Sequence, residues 1–340
     1  MNATTYGLDI AKSVFQMYWV DPSSSKSHNR QFNRKELIEF LSRCPAGKVV
    51  LEACGGAHWW ARKIRSLGHE ATLIHPRYVR PFVLTNKTDA ADARAIWTAA
   101  QQPDMPAVAV KTEDQQAVLA LHRIREELVA TRTRQCNQLR GLMGEYGVHF
   151  AKGRKAFLKE LVTRRAELEQ GVPPLLVPAL DRQLTALRRL EEQIQLIERD
   201  IQAWLRAHPA AQTVEAIPGI GAITATALVA TMGDARAFRS GRAFAASLGI
   251  VPTQTGTGGQ VRLGHISKRG NSYLRQLLIH GARIVLTRSK NPPAWAKALL
   301  ARRPANVVVV ALANRMARAA WALLAHGRQY DSQYISQRPA

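Results

Sequence analysis

The most informative segment of the chain is Tyr6-Gly7-Leu8-Asp9-Ile10, an apolar run that carries one carboxylate. A charge between Leu8 and Ile10 in a buried strand costs free energy unless it is paired or bound to a metal ion. A second run, residues 48–53, is nearly all apolar and carries Glu52 shortly before Gly55-Gly56. Such a run is typical of a strand at the centre of a sheet. We therefore expect two core strands, each with one acid.

Two further acids, Asp89 and Asp92, lie three residues apart in a helix-forming stretch, so both project from one helical face. Carboxylate oxygens are the ligands that Mg²⁺ prefers, with water and substrate phosphates completing its shell. Two such ions clamp the attacking and leaving oxygens of a phosphodiester. The four acids together predict a metal site for cutting nucleic acid, with Mg²⁺ as the metal and Mn²⁺ as a substitute.

Each acid taken alone also has a structural interpretation. Glu52 fits a solvated loop residue or a helix cap, and Asp89 fits an N-terminal helix charge favoured by the macrodipole. Asp9 is the hardest to explain in this way, because its neighbours are apolar. The combination is more specific than its parts.

The charge of the chain indicates a polyanionic partner. The 340 residues carry a formal net charge of +23, and residues 207–340 contribute 17 basic side chains against only three acids, Glu215, Asp234 and Asp331. Such a footprint favours nucleic acid, since no Lys-rich amphipathic helix with aromatic anchors indicates a membrane surface. No apolar run approaches the ~18 residues of a membrane span, and no secretory signal or zinc-type cysteine spacing is evident. We expect a cytoplasmic protein that does not act on a membrane.

The first part of the chain alternates strand and helix signals. Strands are predicted at residues 6–10, 14–20, 28–32, 48–53 and 71–75, and helices at residues 34–43 and 57–67. This order, with a further helix carrying Asp89 and Asp92, is that of an RNase H-like mixed sheet. In that fold, acids on the first and fourth strands converge with others on the last helix.

The middle of the chain is predicted to be helical. Residues 111–146 and 154–206 read as long helices with a break at residues 171–174. An apolar stripe recurs at spacings of three and four, at Leu180, Leu184, Leu187, Leu190, Ile194, Ile197, Ile201 and Trp204. The stripe suits a coiled coil or an antiparallel helical pair, while an ordinary bundle helix remains an alternative. We interpret the region as a helical arm and an oligomerisation surface.

The final third is predicted to be mainly helical. A turn at Ile217-Pro218-Gly219-Ile220-Gly221 resembles a helix-hairpin-helix motif, in which Gly219 and Gly221 would let backbone N–H groups approach a DNA phosphate. A tight helical hairpin without a ligand explains the same residues. The predicted domains are therefore residues 1–110, 111–206 and 207–330, followed by a tail at 331–340.

A hydroxyl-rich, flexible loop is predicted at residues 253–259, before the basic turn Ser267-Lys268-Arg269-Gly270-Asn271 and a helix at residues 272–286. Glycines in such a loop permit close backbone approach to a phosphate. The predicted nucleic-acid contacts in this region are Arg262, Lys268, Arg269, Asn271 and Arg275. A merely solvated basic loop is the alternative.

The ordered motifs resemble a known family, the bridge-RNA-guided DEDD/serine insertion-sequence transposases. The resemblance covers nearly the whole chain and rests on five motifs, Gly-Leu-Asp9-Ile-Ala-Lys, Leu-Glu52-Ala-Cys-Gly-Gly, Asn-Lys-Thr-Asp89-Ala-Ala-Asp92-Ala, Ile-Pro-Gly-Ile-Gly, and Leu-Gly-Ile-Val-Pro followed by Ser-Lys-Arg-Gly-Asn-Ser-Tyr-Leu-Arg.

The resemblance implies a RuvC-like N-terminal domain, a coiled-coil linker and a C-terminal transposase domain with a serine nucleophile. It also implies Mg²⁺ at the four acids and a structured non-coding RNA that pairs with donor and target DNA. Composite active sites imply a homo-oligomer, a dimer that forms a tetramer in the synaptic complex. The expected setting is the bacterial cytoplasm, at the nucleoid.

The chain departs from the family pattern at the nucleophile. Its loop has no serine before Ser267, and the hydroxyl that precedes Gly258-Gly259 belongs to Thr257. An activated threonine can attack a phosphodiester, although its methyl group crowds the oxygen. Thr257 is thus the predicted nucleophile, ahead of Thr255 and Ser267, and a loop residue capping its own backbone is the structural alternative.

Three hypotheses follow for the function. The first is a transposase or site-specific recombinase with a covalent hydroxyl-DNA intermediate. The second is a metal-dependent junction resolvase that uses water as the nucleophile. The third is a non-catalytic nucleic-acid-binding protein whose acids are structural.

Overall fold

A six-stranded mixed sheet forms the centre of the N-terminal part in this computed structural model, which describes residues 3–84, 86 and 88–331. The chain divides into two units, one made of Met1–Gln115 with Met232–Arg239 and the other of Gln116–Thr231 with Ser240–Ala340. The predicted tail lies outside the described residues from position 332 onward, as does Lys87 of the third motif.

The elements of unit 1 follow the predicted order closely. They are β1 (Thr5–Ile10), β2 (Phe15–Val20), β3 (Ser27–Phe32), α1 (Arg34–Arg43), β4 (Lys48–Glu52), α2 (Ala57–Ser66), β5 (Glu70–Ile74), α3 (Pro76–Val79), α4 (Asp89–Ala100) and β6 (Ala107–Val108). The short elements α3 and β6 were not predicted, because four residues and two residues carry too little periodicity.

The sheet has the strand order β3-β2-β1-β4-β5-β6. Strands β1, β4 and β5 run parallel, while β2 and β3 form an antiparallel meander on one side and β6 pairs antiparallel to β5 on the other. The apolar strand β4 is central, as its composition predicted. This mixed order is consistent with the predicted RNase H-like domain.

Helices cover both faces of the sheet. On one face, α1 and α2 pack on a core that includes Tyr6, Leu8 and Leu51. On the other face, α4 packs on Val50 and Ile74 through Ala95, Ile96 and Ala99. Since successive side chains of a strand point to opposite faces, each strand divides its residues between these two cores.

Unit 2 is built mainly of helices. Its elements are α5 (Glu113–Gly144), α6 (Arg154–Thr163), α7 (Arg165–Gln170), α8 (Val177–Ala207), α9 (Pro209–Glu215), α10 (Ala222–Met232), α11 (Gly241–Ser247), β7 (Pro252–Thr257), β8 (Gln260–Ile266), α12 (Ser272–Arg288), α13 (Ala294–Leu300) and α14 (Ala305–His326). One end of α5 and one end of α10 extend briefly into unit 1.

The apolar stripe of α8 packs within the chain. Arg125 and Arg132 of α5 pair with Glu198 and Glu191 of α8 respectively, so the two helices run antiparallel. The arrangement fits both the antiparallel helical pair and the bundle helix among the predicted alternatives, because α6, α7 and α10 also contribute to the cores along the stripe. The expected break at 171–174 separates α7 from α8, but a second break at Arg164 was not predicted.

The predicted flexible loop at residues 253–259 is wrong. These residues belong to an antiparallel hairpin in which β7 pairs with β8 and Thr257 lies opposite Gln260. The turn residues Gly258 and Gly259 have φ values of +58° and +80°, which a two-residue hairpin turn requires and which glycine adopts at least cost. Alternating polar residues had hidden the hairpin, because neither of its faces is consistently apolar.

In the part of the chain that the structure describes, one helix, α14, is long and apolar enough to cross a membrane by length and composition. Its apolar side is nevertheless buried in unit 2, at Val308, Val309, Leu312, Ala313, Met316, Ala317, Ala320 and Leu323. The other side carries Arg315 and Arg318. This is the pattern of a core helix.

Candidate active site

Asp9 and Glu52 lie next to each other at the same edge of the sheet. Strands β1 and β4 are parallel with Leu8 opposite Leu51, so the next residues along the two strands are Asp9 and Glu52. Neighbouring strands are about 4.8 Å apart. The prediction that the acids of the first and fourth strands converge is thus matched by the strand register.

Both carboxylates point to the face that α4 covers. Tyr6 and Leu8 belong to the core under α1 and α2, so Gly7 and Asp9 face the opposite side. Glu52 shares its face with Val50, which packs in the core under α4. Asp9 and Glu52 are both half-buried there.

A close backbone approach sets the position of α4 over β1. A Cβ added to Gly7 would lie 2.5 Å from the Ala93 carbonyl oxygen and 2.5 Å from the Trp97 nitrogen. The indole Nε1 of Trp97 also donates to the Thr5 carbonyl at 3.1 Å. Ala93 and Trp97 thus fix this part of α4 over β1.

The N-terminal turn of α4 carries the other two acids. Thr88 caps the helix by accepting from the Ala91 N–H at 3.2 Å, and Asp89 and Asp92 both lie in the first turn. Asp92 is half-buried and Asp89 is exposed. A negative charge in this turn is favoured by the helix dipole, so the turn tolerates both acids.

The pKa of the Cys54 thiol is shifted by burial and by the charges at this edge of the sheet. Burial raises the pKa of Cys54, and the Glu52 and Asp9 carboxylates raise it further. Both acids are thus close enough to act on one atom. The thiol stays protonated at neutral pH, which makes it a poor nucleophile.

The four acids suit Mg²⁺ by donor type. They offer only oxygen atoms, and Mg²⁺ is usually held by one or two carboxylates together with water and substrate phosphates. Within the described residues, no three His, Cys, Asp or Glu side chains form by themselves a group that could hold a metal ion. The protein thus offers part of a ligand set, and the metal site stays a prediction.

Thr257 lies at the tip of the β7–β8 hairpin, in unit 2, whereas the four acids belong to unit 1. Paired residues of a hairpin share a face, so Thr255, Thr257, Gln260 and Arg262 lie on one side of it. All four are exposed. The hydroxyl is accessible to a DNA strand, and a cation lies on the same face.

The predicted nucleic-acid contacts fall into two groups. Lys268 and Arg269 are exposed in the turn after β8. Asn271 instead caps α12 by accepting from the Leu274 N–H at 3.0 Å, and Arg275 donates to the Leu248 carbonyl at 2.9 Å. The latter two side chains therefore already have structural roles, and all of these contacts with nucleic acid stay predictions.

The two glycines between α9 and α10 differ in their surroundings. Gly219 has φ of +89° and packs against α12, where a Cβ would lie 2.9 Å from the Gly281 carbonyl oxygen. This contact explains Gly219 as a packing residue of a tight helical hairpin. Gly221 is exposed at the start of α10, with no atom within 4 Å of an added Cβ.

Models of known transposase families match two parts of the chain. A model of the transposase IS116/IS110/IS902 family matches residues 211–299, and a model of DEDD-type transposases of the IS110 group matches residues 6–148. The chain is 48% identical to a probable family 20 transposase of Pseudomonas aeruginosa over 97% of its own length and 99% of the relative's.

Two further relatives are transposases of named insertion sequences. The transposase of element IS1328 of Yersinia enterocolitica is 42% identical over 97% of this chain and 99% of its own length. That of IS1111A of Coxiella burnetii is 40% identical over 95% and 90%. The chain belongs to the IS116/IS110/IS902 family of transposases. Family membership confirms the predicted class of function, an insertion-sequence transposase that acts on DNA.

One residue of the transposase's site was missed in the sequence. Gly7 is needed for the close approach of α4, and its signal was available, since a glycine inside a strand often marks a backbone contact. Its place between the core residues Tyr6 and Leu8, two positions before Asp9, would have identified it.

Proposed function

We propose that the transposase cleaves and exchanges DNA strands by phosphodiester transesterification, with Asp9, Glu52, Asp89 and Asp92 holding Mg²⁺ at the scissile phosphate. The observation that carries this proposal is the register of β1 with β4, which puts Asp9 beside Glu52 on the face that α4 covers, with Asp89 and Asp92 in the first turn of that helix. When bound, Mg²⁺ would neutralise the charge that develops on the phosphate.

Thr257 is the proposed nucleophile. Its hydroxyl oxygen forms a bond to phosphorus while one bond from phosphorus to a deoxyribose oxygen breaks, so the number of phosphoester bonds is unchanged. The threonine loses its proton, and the leaving oxygen gains one. A hydroxyl of a second DNA end then reverses the step and releases Thr257. Support comes from its exposed position at the hairpin tip, beside a cation on the same face.

A structured bridge RNA is the proposed guide for donor and target DNA. Support comes from the resemblance of the ordered motifs to guided transposases and from the excess of basic residues in 207–340. With an RNA that reads sequence by pairing, the protein needs backbone contacts more than a side-chain code. The proposed assembly is a homodimer, and a tetramer in the synaptic complex, acting in the cytoplasm.

The test uses purified transposase, Mg²⁺, the RNA transcribed beside its gene and donor and target DNA. Wild type should transfer strands and form a protein-DNA adduct, Asp9→Ala should do neither, and Thr257→Ala should form no adduct. Thr257→Ser should keep the adduct and form it faster, because the methyl group is gone. Glu39→Ala is the control. Glu39 is an exposed acid of α1 and lies away from the sheet edge that carries Asp9 and Glu52, here called the acidic edge.

The outcomes separate the three hypotheses. Cleavage that survives Thr257→Ala without any adduct in the wild type would favour water as the nucleophile, as in a junction resolvase. Binding of DNA without Mg²⁺-dependent breakage, unaffected by Asp9→Ala, would contradict the enzymatic proposal. Strand transfer without the RNA would remove the guide from it.

A further inference from the structure

A side chain of the edge strand β3 binds the first turn of α4. Asn29 of β3 donates from Nδ2 to the Ala90 carbonyl oxygen at 3.1 Å. Gln16 of β2 in turn donates from Nε2 to Asn29 Oδ1 at 2.6 Å. Ala90 lies between Asp89 and Asp92, so these bonds end on the segment that carries two of the four acids.

Chemistry fixes the orientation of the Asn29 amide. The Ala90 carbonyl only accepts hydrogen bonds, so the amide nitrogen of Asn29 must face it. The amide oxygen then faces Gln16, whose nitrogen donates to it. Gln16 therefore holds Asn29 in the orientation that binds α4.

The pair of Asn29 and Gln16 lies next to Asp9 in the sheet. Gln16 lies directly opposite Asp9 in the register of β1 with β2, so their side chains share a face with Cβ atoms about 5 Å apart. Tyr18, two residues on, contacts the ring of Trp97 in α4 at 5.4 Å between centroids. The face of Gln16 is thus the one that α4 covers.

The contacts of α4 with Gly7 and Thr5 of β1 hold a later part of the helix. Gly7 and Thr5 contact Ala93 and Trp97, which lie at least one residue beyond Asp92. Thr88 caps the first turn but belongs to the same segment. The hydrogen bond from Asn29 instead joins the first turn itself to the sheet.

We infer that Asn29, oriented by Gln16, is a positioning residue that fixes Asp89 and Asp92 relative to Asp9 and Glu52 and so sets the affinity of the site for a divalent cation. The inference rests on the proposed function of the four acids. Asn29 acts through its hydrogen bond to the backbone of α4. Partners of this kind typically change metal affinity by about 10- to 100-fold when removed.

The experiment measures Mn²⁺ binding to the full-length protein by electron paramagnetic resonance, without DNA or turnover. Asn29→Ala should raise the dissociation constant for Mn²⁺ about tenfold. Gln16→Ala should raise it in the same direction, and the double variant should be no worse than Asn29→Ala, because Gln16 acts through Asn29. Gln31→Ala is the matched control, an exposed residue of β3 two positions away that faces the same side, and it should change the constant less than twofold.

Hydrogen exchange supplies a readout that needs no metal. In Asn29→Ala the amides of Ala91 and Asp92, which bond to Thr88, should exchange faster than in Gln31→Ala, while exchange in β1 and β4 is unchanged. Unchanged exchange in that turn, or equal Mn²⁺ affinity in Asn29→Ala and Gln31→Ala, would overturn the inference.

Failure of the proposed metal site gives a different result. Asp9→Asn should abolish Mn²⁺ binding. If it does not, or if the wild type binds no Mn²⁺, the acidic edge is not a cation site and the inference falls with it. If Asp9→Asn abolishes binding and Asn29→Ala does not weaken it, the metal site stands and only the role of Asn29 is wrong.

Discussion

At the scale of the residue, Gly7 links the fold to the acidic edge. A methyl group at this position would meet backbone atoms of Ala93 and Trp97 at 2.5 Å, and backbone cannot rotate away. Gly7→Ala should therefore push α4 off β1 and lower the free energy of unfolding by about 1–3 kcal/mol, the usual cost of overpacking. Strand transfer should fall as well, because Asp89 and Asp92 move with α4.

The matched control for Gly7→Ala is Gly55→Ala. An added Cβ at Gly55 has nothing within 4 Å, and its φ is not positive. Thermal and urea unfolding should place Gly55→Ala near wild type and Gly7→Ala well below it. Equal midpoints for the two variants would mean that α4 does not depend on this contact.

His122 is a second residue for which the structure predicts a measurable effect, the dependence of stability on pH. It is buried, with Nε2 3.0 Å from Thr226 Oγ1 and Nδ1 3.0 Å from the Tyr273 hydroxyl. Thr226 donates its own proton to the Ala222 carbonyl at 2.7 Å, so it accepts from His122. Nε2 therefore carries a proton, and in the neutral imidazole Tyr273 donates to Nδ1.

Burial, and then the nearby Arg125, lower the pKa of His122 to about 4. The unfolded chain has the ordinary value near 6.5, so below that pH it binds a proton that the folded protein excludes. Stability should fall as the pH drops from 6.5 towards 4, by up to about 3 kcal/mol. His122→Gln, which keeps a donor for Thr226, should have a flatter profile of urea midpoint against pH. Parallel profiles would contradict this assignment.

At the scale of the element, the antiparallel pair of α5 and α8 contains an ion pair between a buried arginine and a half-buried glutamate. Arg132 is only 9% exposed and donates to Glu191 at 3.2 Å, and Glu191 also accepts from Arg154 at 2.8 Å. Removing Glu191 would leave the Arg132 cation buried without its carboxylate. Glu191→Ala should therefore destabilise the protein by about 3–5 kcal/mol.

A surface pair on the same helix provides the comparison. Glu127 and Arg134 of α5 are both exposed, at 70% and 64% of their side chains, and such pairs contribute about 0–1 kcal/mol. Glu127→Ala should leave the urea midpoint almost unchanged. Similar losses in Glu127→Ala and Glu191→Ala would show that burial does not distinguish the two pairs.

Elements with a strong apolar period were predictable from the sequence, and elements without one were not. Strand β4 was predicted from the continuous apolar run Val49-Val50-Leu51, and the stripe of α8 from residues such as Leu187 and Ile194, which recur at helical spacing. The β7–β8 hairpin was missed, because its residues are exposed and its two strands carry mixed polarity. Hydrophobic periodicity arises from burial, and almost all residues of this hairpin are exposed.

The same distinction applies to the candidate site. Asp9 and Glu52 were identified because a carboxylate in an apolar strand is costly, which makes it conspicuous. Asn29 and Gln16 are polar residues in partly polar strands, so their composition carries no signal. Their role depends on the register of three strands and on where α4 begins, which only the folded chain provides.

At the scale of the whole molecule, charge is concentrated in one part of the chain. Residues 207–340 have a net charge of +14, against +5 for residues 1–110 and +4 for residues 111–206. Binding of a polyanion to the final third should therefore be strongly salt-dependent, because each neutralised phosphate releases condensed counterions. The exposed residues Lys268 and Arg269 follow directly on β8, whose partner strand carries Thr257.

The double variant Lys268→Ala/Arg269→Ala should reduce the slope of log affinity against log salt by about 2, since each phosphate contact contributes about 0.9 on duplex DNA. The loss should be the same for unrelated DNA sequences, because phosphate contacts carry no base information. Arg302→Ala/Arg303→Ala removes the same charge from exposed positions of the same region and should leave the slope unchanged. Fluorescence anisotropy over a series of salt concentrations measures both. If the two double variants lower the slope equally, the basic turn is no more than part of a diffuse positive surface, and the β7–β8 hairpin is not anchored to the DNA backbone beside it.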